Sequence, residues 1–410
     1  MWGSLFPPSR LRQLRLLPRQ GCSSCCRELS FFPLSMLKIA VDAMGGDRAP
    51  GAVVEGALLA AGDLNVKVVL VGQKDVVEQT LSRLFPGSHS IEVVSASETV
   101  AMDESPSAAL RKRDSSMRVA FELMKQGQVQ AVVSAGNSGA MMATGMFLLG
   151  NLPQVDRPAI LVVIPTPADK GTVIIDAGAN VDCKPRHLVQ FGLMGSIYSE
   201  RVLGVPSPRV GLLSNGEEEG KGNDLTRAAS EQLSQTSLNY IGYVEGRDIF
   251  SGEVDVVVCD GFTGNVMLKA MEGLAGFIVG GLKEAFQANA LSRIGHLLSR
   301  RSLRRAYTRL DHREYGGAPL LGLNGVAIVA HGGSDAKAIK NAIRVAKEAV
   351  SHDVNRYIIE LLGETGEAED GKSEKLPRRI WRRVRSKIDS LGEKPASQEE
   401  GRESKSGGKG

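Results

Sequence analysis

Aromatic residues and cysteines are scarce in this chain, and each shortage rules something out. Phe, Trp and Tyr make up 5% of 410 residues while glycine occurs 47 times. That balance suits an α/β protein with many strand-to-helix turns and argues against an all-β sandwich. Of the five cysteines, Cys22, Cys25 and Cys26 crowd the start, while Cys183 and Cys259 stand alone. Neither a disulfide framework nor paired zinc spacing results, and a reducing cytoplasm is the expected compartment. The 50 Lys and Arg residues exceed the 46 Asp and Glu residues by only four, too slight an excess for a nucleic-acid partner. No apolar run of the ~18–20 residues that span a bilayer is free of charges and turn formers, which predicts a soluble protein. The chain also lacks a G-x-S-x-G elbow and an H-E-x-x-H pair, the signatures of a serine nucleophile and of a zinc protease. No cofactor and no metal is expected.

What is present is organised around the stretch from Val254 to Lys269. Val254 to Cys259 is a β-branched run of the kind buried in a parallel sheet, and it is followed by Asp260, Gly261, Thr263, Gly264 and Asn265. Helical spacing resumes at Val266, so the stretch reads as strand, tight loop and helix N-terminus, a seat for phosphate or another oxyanion. The same pattern recurs along the chain. Strands are predicted at 37–41, 66–71, 91–94, 131–133, 160–164, 172–175, 209–213 and 326–329. Helices are predicted at 52–61, 76–84, 117–125, 140–149 and 187–198, another from Leu225, and a last one ending near Leu362. This alternation predicts a mostly parallel sheet with helices on both faces. Its polar loops are expected to converge beyond the carboxyl ends of the strands.

Three segments differ in composition. Residues 1–35 interleave Arg with Leu and Pro and contain no acid before Glu28, so they are expected to be an extension outside the working domain of 36–362. From 363 to 410 the Glu, Gly, Ser and Lys content predicts a disordered charged tail, in which Ile380, Trp381, Val384 and Ile388 are open to a second interfacial helix. Within the domain, 277–313 places Leu291, Ile294 and Leu298 at helical spacing beside Arg293, Arg300, Arg301, Arg304, Arg305 and Arg309. Such a basic amphipathic helix suits anionic lipid or an acidic partner protein, and equally a core helix with a solvated basic face.

The loops hold neutral hydrogen-bonding groups: Asn137, Asn180, Asn215, Asn223 and Asn265. That chemistry orients two substrates and stabilises an oxyanion without a covalent enzyme intermediate. Lys221, between Gly220 and Gly222, is either a phosphate-reaching point charge or a surface lysine on a mobile loop. His331 is open between acid, base or phosphate donor and a structural role. Asp42, Asp47, Asp176, Asp182 and Asp260 are open between metal ligation and helix capping, with capping expected for Asp47. Cys183 and Cys259 read as small buried residues, and Glu217, Glu218 and Glu219 as solvent-facing.

Seven motifs in order resemble the bacterial acyl-carrier-protein:phosphate acyltransferases of phospholipid synthesis. They are DAMGGD at 42–47, SAGNSGA at 134–140, GANVDCKP at 178–185, GEEEGKGN at 216–223, DGFTGN at 260–265, YGGA at 315–318 and AHGGSD at 330–335. The resemblance spans Met36 to Leu362. It implies a Rossmann-like three-layer α/β/α homodimer with a protruding basic helical pair, working in the cytoplasm at the membrane surface. The reaction implied moves a fatty acyl group from acyl-carrier protein to inorganic phosphate, giving an acyl phosphate for a glycerol-3-phosphate acyltransferase; a phosphotransacetylase-like use of acyl-CoA is the alternative. By resemblance the catalytic pair is Lys221 and Asn265, and Asn137, Gly139, Asn180, Asp260, Gly264 and His331 belong to the substrate or phosphate site. Leu291, Ile294, Leu298, Arg300, Arg301 and Arg304 form the implied membrane or carrier-protein contact.

Overall fold

The computed structural model describes residues 36–86, 91–167, 170–310 and 316–366. The leader of 1–35, the tail from 367 and Tyr315 of the YGGA motif lie outside the described residues. Eleven strands form one sheet: β1 Lys38–Asp42, β2 Lys67–Gly72, β3 Glu92–Ser95, β4 Ala131–Ser134, β5 Ala159–Ile164, β6 Thr172–Ile175, β7 Arg209–Leu213, β8 Asn239–Val244, β9 Val256–Val258, β10 Ala318–Leu321 and β11 Val326–Val329. Their order across the sheet is β3-β2-β1-β4-β11-β10-β5-β6-β9-β7-β8. Among the described residues the α-helices are α1 Gly51–Asp63, α2 Lys74–Leu84, α3 Pro106–Ala109, α4 Ser116–Lys125, α5 Ser138–Leu148, α6 Pro185–Arg201, α7 Asp224–Ser234, α8 Gly261–Gln287, α9 Ala290–Leu310, α10 Ala336–Ser351 and α11 Val354–Gly366.

The side-chain alternation of a strand divides each one between two helical layers. Ile39 and Val41 face α1 and α10, whereas Ala40 between them faces α4 and α5. In the other half, Val256 and Val258 face α6 and α7, and Val257 faces α8. Strands buried on both faces read as unbroken β-branched runs, which is why VVV and TVII were recognisable. The result is the three-layer α/β/α arrangement expected.

Strand direction is where expectation and structure part. β1, β2, β3, β4 and β11 are parallel to one another. β10 then runs antiparallel to both β11 and β5, and β6 runs antiparallel to β5. β6, β9, β7 and β8 are again mutually parallel. Following the pairings, the second parallel group points opposite to the first. The carboxyl ends of β1, β4 and β11 therefore leave the sheet by one edge, and those of β6, β9 and β7 by the other. By strand direction the polar loops fall into two sets.

Other differences are local. β8 and β10 were not foreseen, because NYIGYV alternates around a glycine and APLL carries a proline. The final helix is two, α10 and α11, broken at His352 and Asp353, where Asp353 has φ 50°. The second of them runs to Gly366, past the expected boundary at Leu362. The helical segment expected from Phe277 starts at Gly261, so α8 is continuous from the sheet edge outward. By length and composition alone α8 is long and apolar enough to cross a bilayer. The sequence reading had passed over it because Lys269, Glu272 and its glycines break the run.

Phe191 of α6 is fully buried in the cluster that includes Leu188, Val256 and Val258. Phe191→Ala is expected to lower unfolding stability by about 3–5 kcal/mol, read as a shifted urea midpoint at unchanged slope.

Candidate functional site

The loop after β6 and the junction after β9 are assembled around Asp176, the residue following β6. Its carboxylate accepts from the backbone N–H groups of Ile160, Gly178 and Ala179 at 3.0–3.1 Å. It also accepts from Asn180 N at 2.7 Å and Asn180 Nδ2 at 2.8 Å. Burial raises its pKa, and these hydrogen bonds oppose the rise. Asn180 Nδ2 also donates to Pro158 O at 2.7 Å, and Asn180 O accepts from Gly261 N at 2.7 Å. Asn180 is buried, and its amide N–H groups hold the loop together.

Helix α8 begins against this loop. A Cβ on Gly261 would lie 2.7 Å from Asn180 backbone atoms, and one on Gly264 would collide with Asp176 O. Only glycine permits that seating, which explains both glycines of DGFTGN. Asp260 caps the helix, its Oδ1 accepting from Thr263 N at 2.9 Å and its Oδ2 from Thr263 Oγ1 at 2.7 Å. Asn265, exposed near the start of α8, lies across Gly178, whose φ of 142° suits glycine. The α8 N-terminus, capped by the Asp260 carboxylate, thus lies beside a neutral amide.

The neighbouring loop carries Lys221. Asn215 Oδ1 accepts from Gly222 N at 2.9 Å, and Gly222 takes φ 84°, which turns the chain back toward α7. Asn223 caps α7 by accepting from Thr226 N at 2.9 Å. Lys221 Nζ sits 3.8 Å from the Glu218 carboxylate, with both side chains largely exposed. An exposed pair of this kind is worth at most about 1 kcal/mol, so the ammonium can leave Glu218 for a bound anion at little cost. Glu217, Glu218 and Glu219 are exposed, Glu217 pairing with Arg247 at 3.2 Å.

Three further cations, Arg157, Lys184 and Arg186, surround His187 near the start of α6. The sequence reading passed over His187, although its place two residues after Pro185 at a helix start was a capping signal. Its Nδ1 accepts from Lys184 N at 3.1 Å, and burial with the nearby cations lowers its pKa from 6.5 to about 4. Cys183 is pushed up to about 11 and Cys259 well above its ordinary value, both chiefly by burial. Neither thiol is a nucleophile at neutral pH.

At the other edge, the loops after β1, β4 and β11 interlock. Asp42 is buried, its pKa raised by burial, and it accepts from Ser134 Oγ at 2.7 Å and Met44 N at 3.2 Å. Asn137 caps α5 through Ala140 N at 3.0 Å, while its Nδ2 donates to Met102 O at 2.8 Å and Glu104 O at 2.9 Å. Gly139 leaves room for Pro106, its absent Cβ lying 3.3 Å from that ring. His331 Nδ1 accepts from Gly333 N at 3.1 Å. Asp47 does not cap α1, whose first position follows Pro50; Asp47 N instead donates to Gly332 O at 2.8 Å. Asn137, Gly139 and His331 thus share one edge, and Lys221, Asn180, Asp260, Gly264 and Asn265 the other. Farther out, Leu291, Ile294, Leu298, Arg300 and Arg301 are exposed on α9, and Arg304 lies on the same helix.

Comparison with known proteins adds a family to this geometry. The sequence model of the family described as fatty acid synthesis protein matches residues 37–357. The phosphate acyltransferase of Geotalea uraniireducens (strain Rf4) is 56% identical over 329 residues, covering 80% of this chain and 95% of the relative. That of Citrifermentans bemidjiense is 53% identical over 353 residues, covering 85% of this chain and all of the relative. Among solved structures, the EutD phosphotransacetylase from Staphylococcus aureus superimposes with a TM-score of 0.51 at 14% identity, covering 76% of this chain and 94% of its own. A phosphotransacetylase from Streptococcus pyogenes gives 0.50 at 18% identity, covering 79% and 94%. These two likenesses concern the fold alone.

Asp176→Asn would turn an amide N–H toward backbone N–H donors, and is expected to cost about 3 kcal/mol in urea unfolding. A loss below about 1 kcal/mol would show that the carboxylate does not hold the loop. The His187 ring is expected to titrate near pH 4 by NMR. Because the unfolded chain takes up that proton first, its contribution to stability is present above about pH 6.5 and is lost as pH falls toward 4.

Proposed function

The chain belongs to the fatty acid synthesis protein family, whose relatives here are phosphate acyltransferases, and from that footing we propose that it transfers a fatty acyl group from acyl-carrier protein to inorganic phosphate. The observation that carries this reading is the placement of Lys221 and Asn265 on loops that follow β7 and β9, adjacent parallel strands. An exposed ammonium and an exposed neutral amide stand at one sheet edge, beside a helix N-terminus. Phosphate is itself a nucleophile, so the site has only to hold it against a thioester carbonyl and stabilise the charge that develops.

In the proposed step a phosphate oxygen attacks the thioester carbonyl carbon, and the carbonyl π pair moves onto its oxygen. As that oxyanion collapses, the C–S bond breaks and the carrier thiolate leaves, to be protonated from solvent. The product is an acyl phosphate. Lys221 meets the phosphate as a point charge, and the Asn265 amide donates to the oxygen that gains charge. Asp260, Gly264 and Asn180 position Asn265 through the seating of α8 on the Asp176 loop. Phosphate and an acyl donor are the substrates that the relatives' name implies. The carrier protein as donor, a homodimeric state and delivery of the product to a glycerol-3-phosphate acyltransferase are parts of the proposal. So is a cytoplasmic location at the membrane surface, supported by the exposed Leu291, Ile294 and Leu298 beside Arg300 and Arg301.

The deciding assay supplies phosphate with acyl-carrier-protein thioester or acyl-CoA side by side and traps the acyl phosphate. Faster turnover with acyl-CoA would replace the carrier protein as donor. Lys221→Ala and Asn265→Ala are each expected to lower turnover by about 10²–10³ with the fold intact. Near-normal turnover in both would refute these roles.

A further inference from the structure

Helix α8 meets the body of the protein through one face. Gly261 and Gly264 are buried there, and Met267, Leu268 and Met271 pack against the clusters beneath the sheet. At about 100° per residue, the opposite face carries Phe262, Val266, Ala270, Gly273, Phe277 and Gly280. Every one of them is exposed, Phe262 at 61%, Val266 at 55% and Phe277 at 79%. The row holds no charge before Glu284, and Lys269 and Glu272 pair with each other at 2.8 Å off to its side. A continuous exposed apolar row of this kind marks a surface that something covers.

The row starts in the same helical turn as Asn265. Val181, 63% exposed, extends it at that end, next to the Asn180 carbonyl that holds Gly261. From Phe262 to Phe277 the helix rises about 22 Å, close to the reach of an extended long-chain acyl tail. Ala270 and Gly273 leave a shallow trough between Val266 and Phe277. A second copy of the chain or a bilayer surface would cover the outer end of α8 equally well. Neither requires the apolar row to begin at the turn where transfer takes place.

We propose that this face of α8 is the acyl-chain subsite, with the thioester carbonyl at Asn265 and the methyl end of the tail toward Phe277. The inference rests on the acyl-transfer reading above and adds where the substrate's tail lies. The test measures kcat/KM of the full chain with phosphate and acyl-carrier-protein donors of short, medium and long saturated chains. The parent protein, Val266→Ser and Phe277→Ser are compared, with unfolding midpoints confirming that the fold is kept. For the parent, each added methylene is expected to raise kcat/KM about two- to fourfold until the tail reaches Phe277. Val266→Ser should reduce the gain for every donor beyond the shortest, whereas Phe277→Ser should penalise only the long ones. An unchanged chain-length profile in both variants overturns the subsite. The same holds if they change only the oligomeric mass or the binding to anionic phospholipid vesicles, for then a second copy or a membrane covers the face. A parent protein that makes no acyl phosphate from any donor refutes the acyl-transfer reading itself. An active parent with no dependence on chain length refutes the subsite alone.

Discussion

A carboxylate sealed inside a protein must be met by donors, and Asp176 is met by three backbone N–H groups from Ile160, Gly178 and Ala179 and by both nitrogens of Asn180. Among the described residues no ion pair to Asp176 shares the duty. The loop after β6 is thereby wrapped around one side chain, and its outer surface becomes the floor on which α8 stands. Gly261 and Gly264 bring the helix to within backbone contact of that floor, and Gly178 admits Asn265 above it. The backbone that carries Asn265 is placed by main chain throughout. Such a placement tolerates little movement, because each contact is fixed at both ends by groups that have nowhere else to bond.

The sheet sets the larger frame. Two parallel halves point in opposite directions and are joined through β10, which is antiparallel to both of its neighbours. Each half closes its carboxyl-end loops on a buried aspartate, Asp42 in one and Asp176 in the other, and each aspartate directly follows or ends its strand. The halves differ in what they offer outward. Around Asp42 the side chains of Ser134 and Asn137 turn inward to hold neighbouring loops. In the other half the side chains of Lys221 and Asn265 remain exposed.

Much of this was legible in the residues. β-branched runs marked the buried strands, since burial on both faces leaves no polar alternation to confuse the period. Thr172–Ile175, Arg209–Leu213 and Val326–Val329 have the bounds their composition suggested. Lys221 and Asn265 stand on loops after adjacent parallel strands, which share a strand-to-helix character. Strand direction was not legible, because a run such as AILVVI pairs either way and only its partners decide. That is why one set of loops became two. The role of Asn137 as a cap was also hidden: an asparagine before a helix looks the same whether its amide faces a ligand or the Met102 carbonyl. The place of His187 after Pro185 announced its capping contact, but its neutral ring is a product of burial that no local pattern announces.

The position of β11 carries one more consequence, for the order in which the chain is made. It lies between β4 and β10, yet it is synthesised after every other strand, and α10 behind it covers α1 while α11 covers α6. Until Val326–Val329 has emerged from the ribosome, the inner edge of β4 has no partner and the two halves have no seam. A nascent chain therefore holds an open β edge through about half of its own translation, the state in which strands pair wrongly with other copies. The last eighth or so of the domain acts as a keystone, and the protein becomes one body only when it drops into place.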